Sequence, residues 1–178
     1  VNQGVEPSLL GQLKAHYYEI KAGIGLYKSP DLYGAFPTDA YSHTPLNAGV
    51  KQPGLTGQVK EDFISRFGEM GLLVRDGEIH FNPSLLNEEE ILEEDQIFEY
   101  ISIDGETETL KLEKNQMAYT FCQVPIVCSF SDETNIRITL DDEQVESWSA
   151  AALGRQHSQK IFQRTGEIKL VEVTFIKE

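Results

Sequence analysis

Apolar residues recur along this chain at two different periods, and the change falls near residue 92. In the first part Leu9, Leu10, Leu13, Tyr17 and Ile20 follow the three-and-four spacing of an amphipathic helix, with Ser8 placed to cap it. Gly23 and Gly25 then loosen the backbone. Ser29-Pro30, Phe36-Pro37, Thr44-Pro45 and Gln52-Pro53 each push the residue before the proline out of the helical region, so 28–53 reads as one long irregular loop. Loops this long inside a compact domain are functional or disordered. Tyr27, Tyr33, Phe36 and Tyr41 argue against disorder. A second helix is predicted to start at Thr56-Gly57, with Val59, Phe63, Ile64, Phe67 and Met70 on one side and Gly71 as a left-handed cap. Asp76-Gly77, between Leu72-Leu73-Val74-Arg75 and Glu78-Ile79-His80-Phe81, predicts a two-residue hairpin of the primed type.

From residue 96 the pattern is that of strands. Ile97, Ile101 and Ile103 share one face of a strand ending at Asp104-Gly105, and Leu110 and Leu112 share a face of the return strand. The nearly continuous apolar run 117–130 predicts one long central strand, with a bulge or an end forced at Pro125. Ile136, Ile138 and Leu140 alternate in the next strand, Asp141-Asp142-Glu143 turns the chain into 144–149, and a helix is predicted from about 149 to 164. A last strand, 167–175, closes the chain. The expected fold is therefore α+β: a helical and loop segment, 1–92, followed by an antiparallel β-sandwich of roughly six or seven strands with one inserted helix, 93–178.

Composition narrows the function. The chain has 178 residues, with 29 Asp+Glu against 15 Lys+Arg and a formal net charge of -14. Such a chain lacks the clustered cations that bind nucleic acid or anionic lipid by bulk charge. No run approaches the roughly 18 apolar residues of a membrane span, and the N-terminal VNQGVEPSLL lacks the pattern of a signal peptide. Val1 in place of Met leaves room for a chain cut from something longer. Cys122 and Cys128 fit no zinc or redox spacing, and two cysteines on one strand cannot meet without bending it, so both are read as buried free thiols.

The densest constellation of chemically able side chains is FPTDAYSHTPLNAGVKQPGLTGQVKED, residues 36–62, which holds Asp39, Tyr41, His43, Lys51, Thr56, Gln58, Glu61 and Asp62. A helix start exposes unpaired N–H groups, and Gly54 and Gly57 let a ligand approach the backbone. Glu61 lies close to that start, where the helix dipole favours the carboxylate and suits it to act as a general base. Against this, Gly-Leu-Thr-Gly is also an ordinary capping sequence, and no Gly-Lys-Ser/Thr follows to make a phosphate loop. His16 and His80 read as surface or half-buried residues, and His157 sits in a polar stretch without a visible partner. Neither a Gly-x-Ser-x-Gly elbow nor a metal-spaced histidine pair is present, so no metal and no cofactor is expected. The run Glu88-Glu89-Glu90 with Glu93-Glu94-Asp95 reads as a solvated linker.

The successions Pro37-Thr38-Asp39-Ala40-Tyr41-Ser42-His43-Thr44-Pro45, Gln52-Pro53-Gly54-Leu55-Thr56-Gly57-Gln58-Val59-Lys60-Glu61 and Arg75-Asp76-Gly77-Glu78-Ile79-His80-Phe81-Asn82-Pro83 resemble the C-terminal end of large bacterial carbohydrate-active enzymes. These are the six-hairpin (α/α)-barrel glycosidases and the related cellobiose- and maltose-phosphorylase-type enzymes. In them the last barrel helices lead through an Asp-Gly hairpin to a proline and then to a jelly-roll-like β-domain. Residues 158–168 are similar to the closing turn and strand of that domain. The resemblance implies that Thr56-Gly57 corresponds to the Thr-Gly-Ser phosphate turn of the phosphorylases. Gln58 stands where serine is expected, which favours hydrolysis with Glu61 as base. The general acid of such barrels comes from an earlier hairpin that this chain does not contain.

Two readings follow, beside a third in which a free-standing small enzyme uses Asp39, His43 and Glu61, residues with no second element in sight to orient them. In the first, the chain is a C-terminal fragment of a glycoside hydrolase or related enzyme, inactive alone. Glu61 and Asp39 are its catalytic candidates, with Asp62 a lesser one, and Tyr41, His43, Thr56, Gly57 and Gln58 are its substrate contacts. Its partners are a carbohydrate and the missing N-terminal part of the polypeptide, and the apolar helix faces bury against the rest of a barrel or in a homodimer. In the second, the β-sandwich is a noncatalytic carbohydrate-binding or interaction module, whose signature is two or three exposed aromatics on one sheet face; Trp148 reads as core. Unpaired cysteines lean toward a reducing compartment, here the bacterial cytoplasm.

Overall fold

The computed structural model describes residues 6–22 and 59–176, and within them the side chains of all but 20, 22, 59–61 and 88. The chain is α+β and divides into two compact units, 1–67 and 68–178.

The first unit contains helix α1, Pro7–Ala22, and most of helix α2, Val59–Glu69. α1 starts earlier than Ser8 would place it. The Glu6 carbonyl accepts from the N–H groups of Leu9 and Leu10, and Pro7 takes the first helical position, where its missing N–H costs nothing. Lys21, in the last turn of α1, reaches Asp62 of α2 at 3.8 Å, with both side chains largely buried. The expected cap at Thr56 lies outside the described residues. α2 ends as expected at Gly71, whose φ of 85° needs glycine; a Cβ there would stand 3.0 Å from the Asn82 carbonyl oxygen.

The second unit begins with hairpin β1, Leu72–Arg75, and β2, Glu78–Phe81, joined by Asp76 and Gly77 at φ 52° and 76°. That is the primed turn the sequence predicts. Two short 3-10 turns, Pro83–Leu85 and Glu88–Glu90, lead to a two-stranded antiparallel ribbon of β3, Gln96–Ile101, and β4, Thr107–Leu112. A five-stranded sheet follows: β5, Met117–Phe121; β6, Val124–Ser131; β7, Asn135–Leu140; β8, Val145–Trp148; and β9, Ile168–Ile176, with helix α3, Gly154–Gln163, before β9.

The sheet order is β5-β6-β9-β7-β8. All neighbours are antiparallel except β6 and β9, which run parallel from Ile126↔Val171 to Ser131↔Ile176. The sheet is therefore mixed. β9, last in the chain, occupies the centre. Its face carrying Val171, Val173 and Phe175 continues through Ile126 and Cys128 on β6, Ile136 and Ile138 on β7, and Met117 and Tyr119 on β5, all buried. α3 covers this face, with Ile161 buried and Phe162 edge-on to Phe121 at 6.2 Å. The other face is more polar, with Arg137–Glu172 at 3.5 Å and Ser129 Oγ to Thr174 Oγ1 at 3.3 Å, although Pro125 and Val127 of β6 are buried on it. A half-wet sheet of this kind alternates apolar and polar residues, as β9 does.

Three expectations are corrected. The run 117–130 is a tight hairpin and not one strand, because Cys122 and Gln123 both adopt left-handed φ, 50° and 67°. The Asp104-Gly105 connection is a five-residue loop closed by Ser102 N–H to the Glu106 carbonyl. The helix expected from 149 starts at Gly154, because 151–153 are bound to β2: Phe81 N–H donates to the Ala151 carbonyl and Leu153 N–H to the Ile79 carbonyl. The same bonds place hairpin β1–β2 in the second unit.

Candidate functional site

Of the residues proposed for chemistry from the sequence, Asp39, Tyr41, His43, Thr56, Gly57 and Gln58 lie outside the described residues, as does the side chain of Glu61. The backbone of Glu61 is in the first turn of α2. Its neighbour Asp62 is held by Lys21, and its carbonyl accepts from Ser65 Oγ at 3.0 Å, so Asp62 ties two helices together.

The described residues offer two aromatic and acidic groupings that spacing alone did not reveal. The first is at the β8 edge of the sheet. The His157 ring stacks on Trp148 with centroids 5.4 Å apart, and its Nε2 stands 3.2 Å from Glu146. His157 therefore has a partner, and Trp148 is half-buried. The polar atoms here are already engaged: Trp148 Nε1–H donates to the Ala152 carbonyl and His157 Nδ1 lies 3.3 Å from the Leu153 carbonyl. The grouping fixes the α3 entrance to the edge strand and leaves little for a ligand.

The second grouping is on the ribbon. Strand side chains alternate between faces, so Phe98, Tyr100, Leu110 and Glu108 share one side, and Ile97, Ile101 and Lys111 share the other. Ile97 and Ile101 are 73 % and 52 % exposed, so the isoleucine face is no core. Phe98 and Tyr100 are half-buried, their rings within 14° of parallel with centroids 5.8 Å apart. Tyr100 donates its hydroxyl to Glu108 Oε2 at 2.8 Å, and Glu108 is exposed. Burial, and then that carboxylate, push the Tyr100 hydroxyl up to about 12, which keeps it a neutral donor. The rings thus stack on one another, and the Tyr100–Glu108 bond links the two strands of the ribbon.

Other groups read as structural. Asp95 accepts from Lys114 N–H at 3.0 Å and pairs with Lys111, which together hold its carboxyl below the usual range. The neighbouring hollow is walled by Glu89, Glu90, Glu93 and Glu94 and offers charge without a second ligand chemistry. Cys122 and Cys128 are free; burial pushes the Cys128 thiol up to about 12, and the same burial, with Cys128 beside it, raises Tyr119. Glu69, buried at the end of α2, had no sequence signal beyond its helical position. Among the described residues no group of three or more His, Cys, Asp or Glu is placed to hold a metal, and no helix is long and apolar enough to cross a membrane. No family model and no curated protein matches the chain.

Proposed function

We propose that this chain is the C-terminal part of a carbohydrate-active enzyme of the six-hairpin glycosidase kind, inactive alone. In this reading α1 and α2 belong to the end of the barrel, residues 39–61 form part of the active-site wall, and the β-rich unit is the accessory domain. The supporting observation is the hairpin. Leu72–Arg75 and Glu78–Phe81 turn through left-handed Asp76 and Gly77 and run on to Pro83, as the resemblance implies. The same hairpin is bonded into the β-rich unit through Ala151, Leu153 and Ser158, which suits a connection handing a barrel over to a C-terminal domain.

Glycosidic cleavage needs two carboxyls roughly 5 to 10 Å apart. Glu61 supplies one, as base for an attacking water, with Asp39 the other candidate in this chain; the acid comes from the missing part. The test starts from the native gene product, detected in source cells with an antibody to this chain. A band several times larger than 20.0 kDa is expected. In that parent, Glu61→Gln is expected to abolish turnover while leaving its unfolding midpoint in place. A band at 20.0 kDa, or wild-type turnover by the variant, overturns the reading.

A noncatalytic sugar-binding or interaction module is the second reading. One observation favours it: the parallel Phe98 and Tyr100 rings on one face of the ribbon.

A further inference from the structure

We infer that His157 is a pH-operated clasp: as an imidazolium between the Glu146 carboxylate and the Leu153 carbonyl it pins edge strand β8 to the start of α3, and on losing its proton it lets that edge open more often. The clasp lies wholly within the β-rich unit and does not depend on either function above.

Two acceptors face the two ring nitrogens. Nδ1 lies 3.3 Å from the carbonyl of Leu153, and Nε2 lies 3.2 Å from Glu146 Oε2, an atom that only accepts when ionised. A neutral imidazole carries one N–H, so one of its nitrogens would turn a lone pair toward an acceptor; the imidazolium carries two. The ring face meets Trp148, with centroids 5.4 Å apart and planes within 21°, and an indole face attracts a cation. Glu146 and Trp148 reach His157 because they alternate with Val145 and Ser147 on β8 and pair with Ile138 and Ile136, on the side that α3 covers. Trp148 Nε1–H donates to the Ala152 carbonyl, and Ala151 and Leu153 are bonded to β2, so the clasp closes over segment 151–153.

Other charges bear on the ring. The start of α3 and Lys160, one turn further along it, both disfavour a cation. Lys160 is held by Glu167 at 2.7 Å and lies in the field of Glu146 and Asp141, while Arg155 is turned to the Asp76 carbonyl. On β2, His80 stands across the bridge to Ala152 with Glu78 at 3.9 Å. Glu146 is the carboxylate within ion-pair distance of His157. The imidazolium's share of the clasp is present at low pH and lost as pH rises through the imidazole range; the share of Glu146 is lost as pH falls through the carboxylate range. The clasp is therefore tightest in mild acid.

Trp148 is the one tryptophan of the chain, so its fluorescence reports the stack directly. An imidazolium against an indole quenches emission more than a neutral imidazole does. In the 178-residue chain, emission is expected to rise between about pH 5 and about pH 8, and the amides of β8, corrected for the intrinsic pH dependence of exchange, are expected to lose roughly two- to fivefold of their protection over the same range. His157→Gln is expected to abolish both changes, and His80→Gln to leave both in place. Glu146→Gln puts an amide donor opposite the neutral ring, so β8 protection is expected to stop falling with pH while the fluorescence change persists. Emission and protection that ignore pH, changes that survive His157→Gln, or changes that His80→Gln removes would each overturn the clasp. Should His157→Gln disturb the packing of α3, Glu146→Gln acts at an exposed position on an edge strand, and an undiminished fall of β8 protection in that variant overturns the clasp as well.

Discussion

Ser158 shows how one side chain joins two elements. It is fully buried; its hydroxyl donates to the Gly154 carbonyl at 2.7 Å and accepts from Ile79 N–H at 2.9 Å. Ser158→Ala leaves that buried N–H without a partner, a loss of about 1–3 kcal/mol in stability, measurable by denaturant unfolding. An undiminished midpoint would mean that water or a shift of β2 replaces the bond. The cysteines separate by environment in the same way. Cys122 is half-buried in the turn before β6, whereas Cys128 is fully buried with its thiol raised to about 12. A thiol reagent is therefore expected to modify Cys122 alone in the native chain and to reach Cys128 only after denaturant is added. Simultaneous labelling of both would contradict the burial. The Cys122-Gln123 turn was invisible to sequence reading because neither residue is Gly, Asn or Asp, the usual occupants of left-handed positions.

Among elements, the turn from α3 into β9 carries a pH dependence. Arg164 ends α3 at φ 52°, and Lys160 Nζ meets Glu167 Oε2 at 2.7 Å across the turn. The Lys160 bond, and then the Thr165 hydroxyl, hold the Glu167 carboxyl below its usual range. A depressed carboxyl contributes stability above its unfolded value and loses it as pH falls through the folded one. Lys160 is raised by Glu167, so its share is present below the ordinary lysine range and lost as pH rises through the folded value. The pair thus supports the turn at neutral pH and weakens on acidification. Both side chains are only partly buried, so the effect is small and falls with salt. Glu167→Gln is expected to lower the melting temperature at neutral pH and to converge with the wild type below the carboxylate range; equal melting temperatures throughout would remove the pair from the stability of the turn. Elements of this kind were largely legible. The primed hairpin at Asp76-Gly77, β7 at 135–140 and the alternation of β9 are all written in local residue chemistry. The helix starts at Pro7 and Gly154 were displaced because backbone partners, Glu6 at one and strand β2 at the other, decide where the first turn begins.

For the whole molecule, the prediction that matters is the size and Glu61-dependence of the proposed parent, since a two-carboxyl mechanism needs a general acid beside the base proposed for Glu61. By itself the sequence determined the α+β class, the Asp-Gly hairpin and most strand positions, because capping, turn chemistry and alternation act over a few residues. The tertiary structure alone decided that β9 enters the sheet between β6 and β7 and runs parallel to β6, since that order follows from burying Val171, Val173 and Phe175 against strands distant in the chain. It also decided that His157 meets Glu146 and that Tyr100 meets Glu108. Such juxtapositions depend on pairing register and on which face finds a cover, and neither is encoded in the spacing of a single segment.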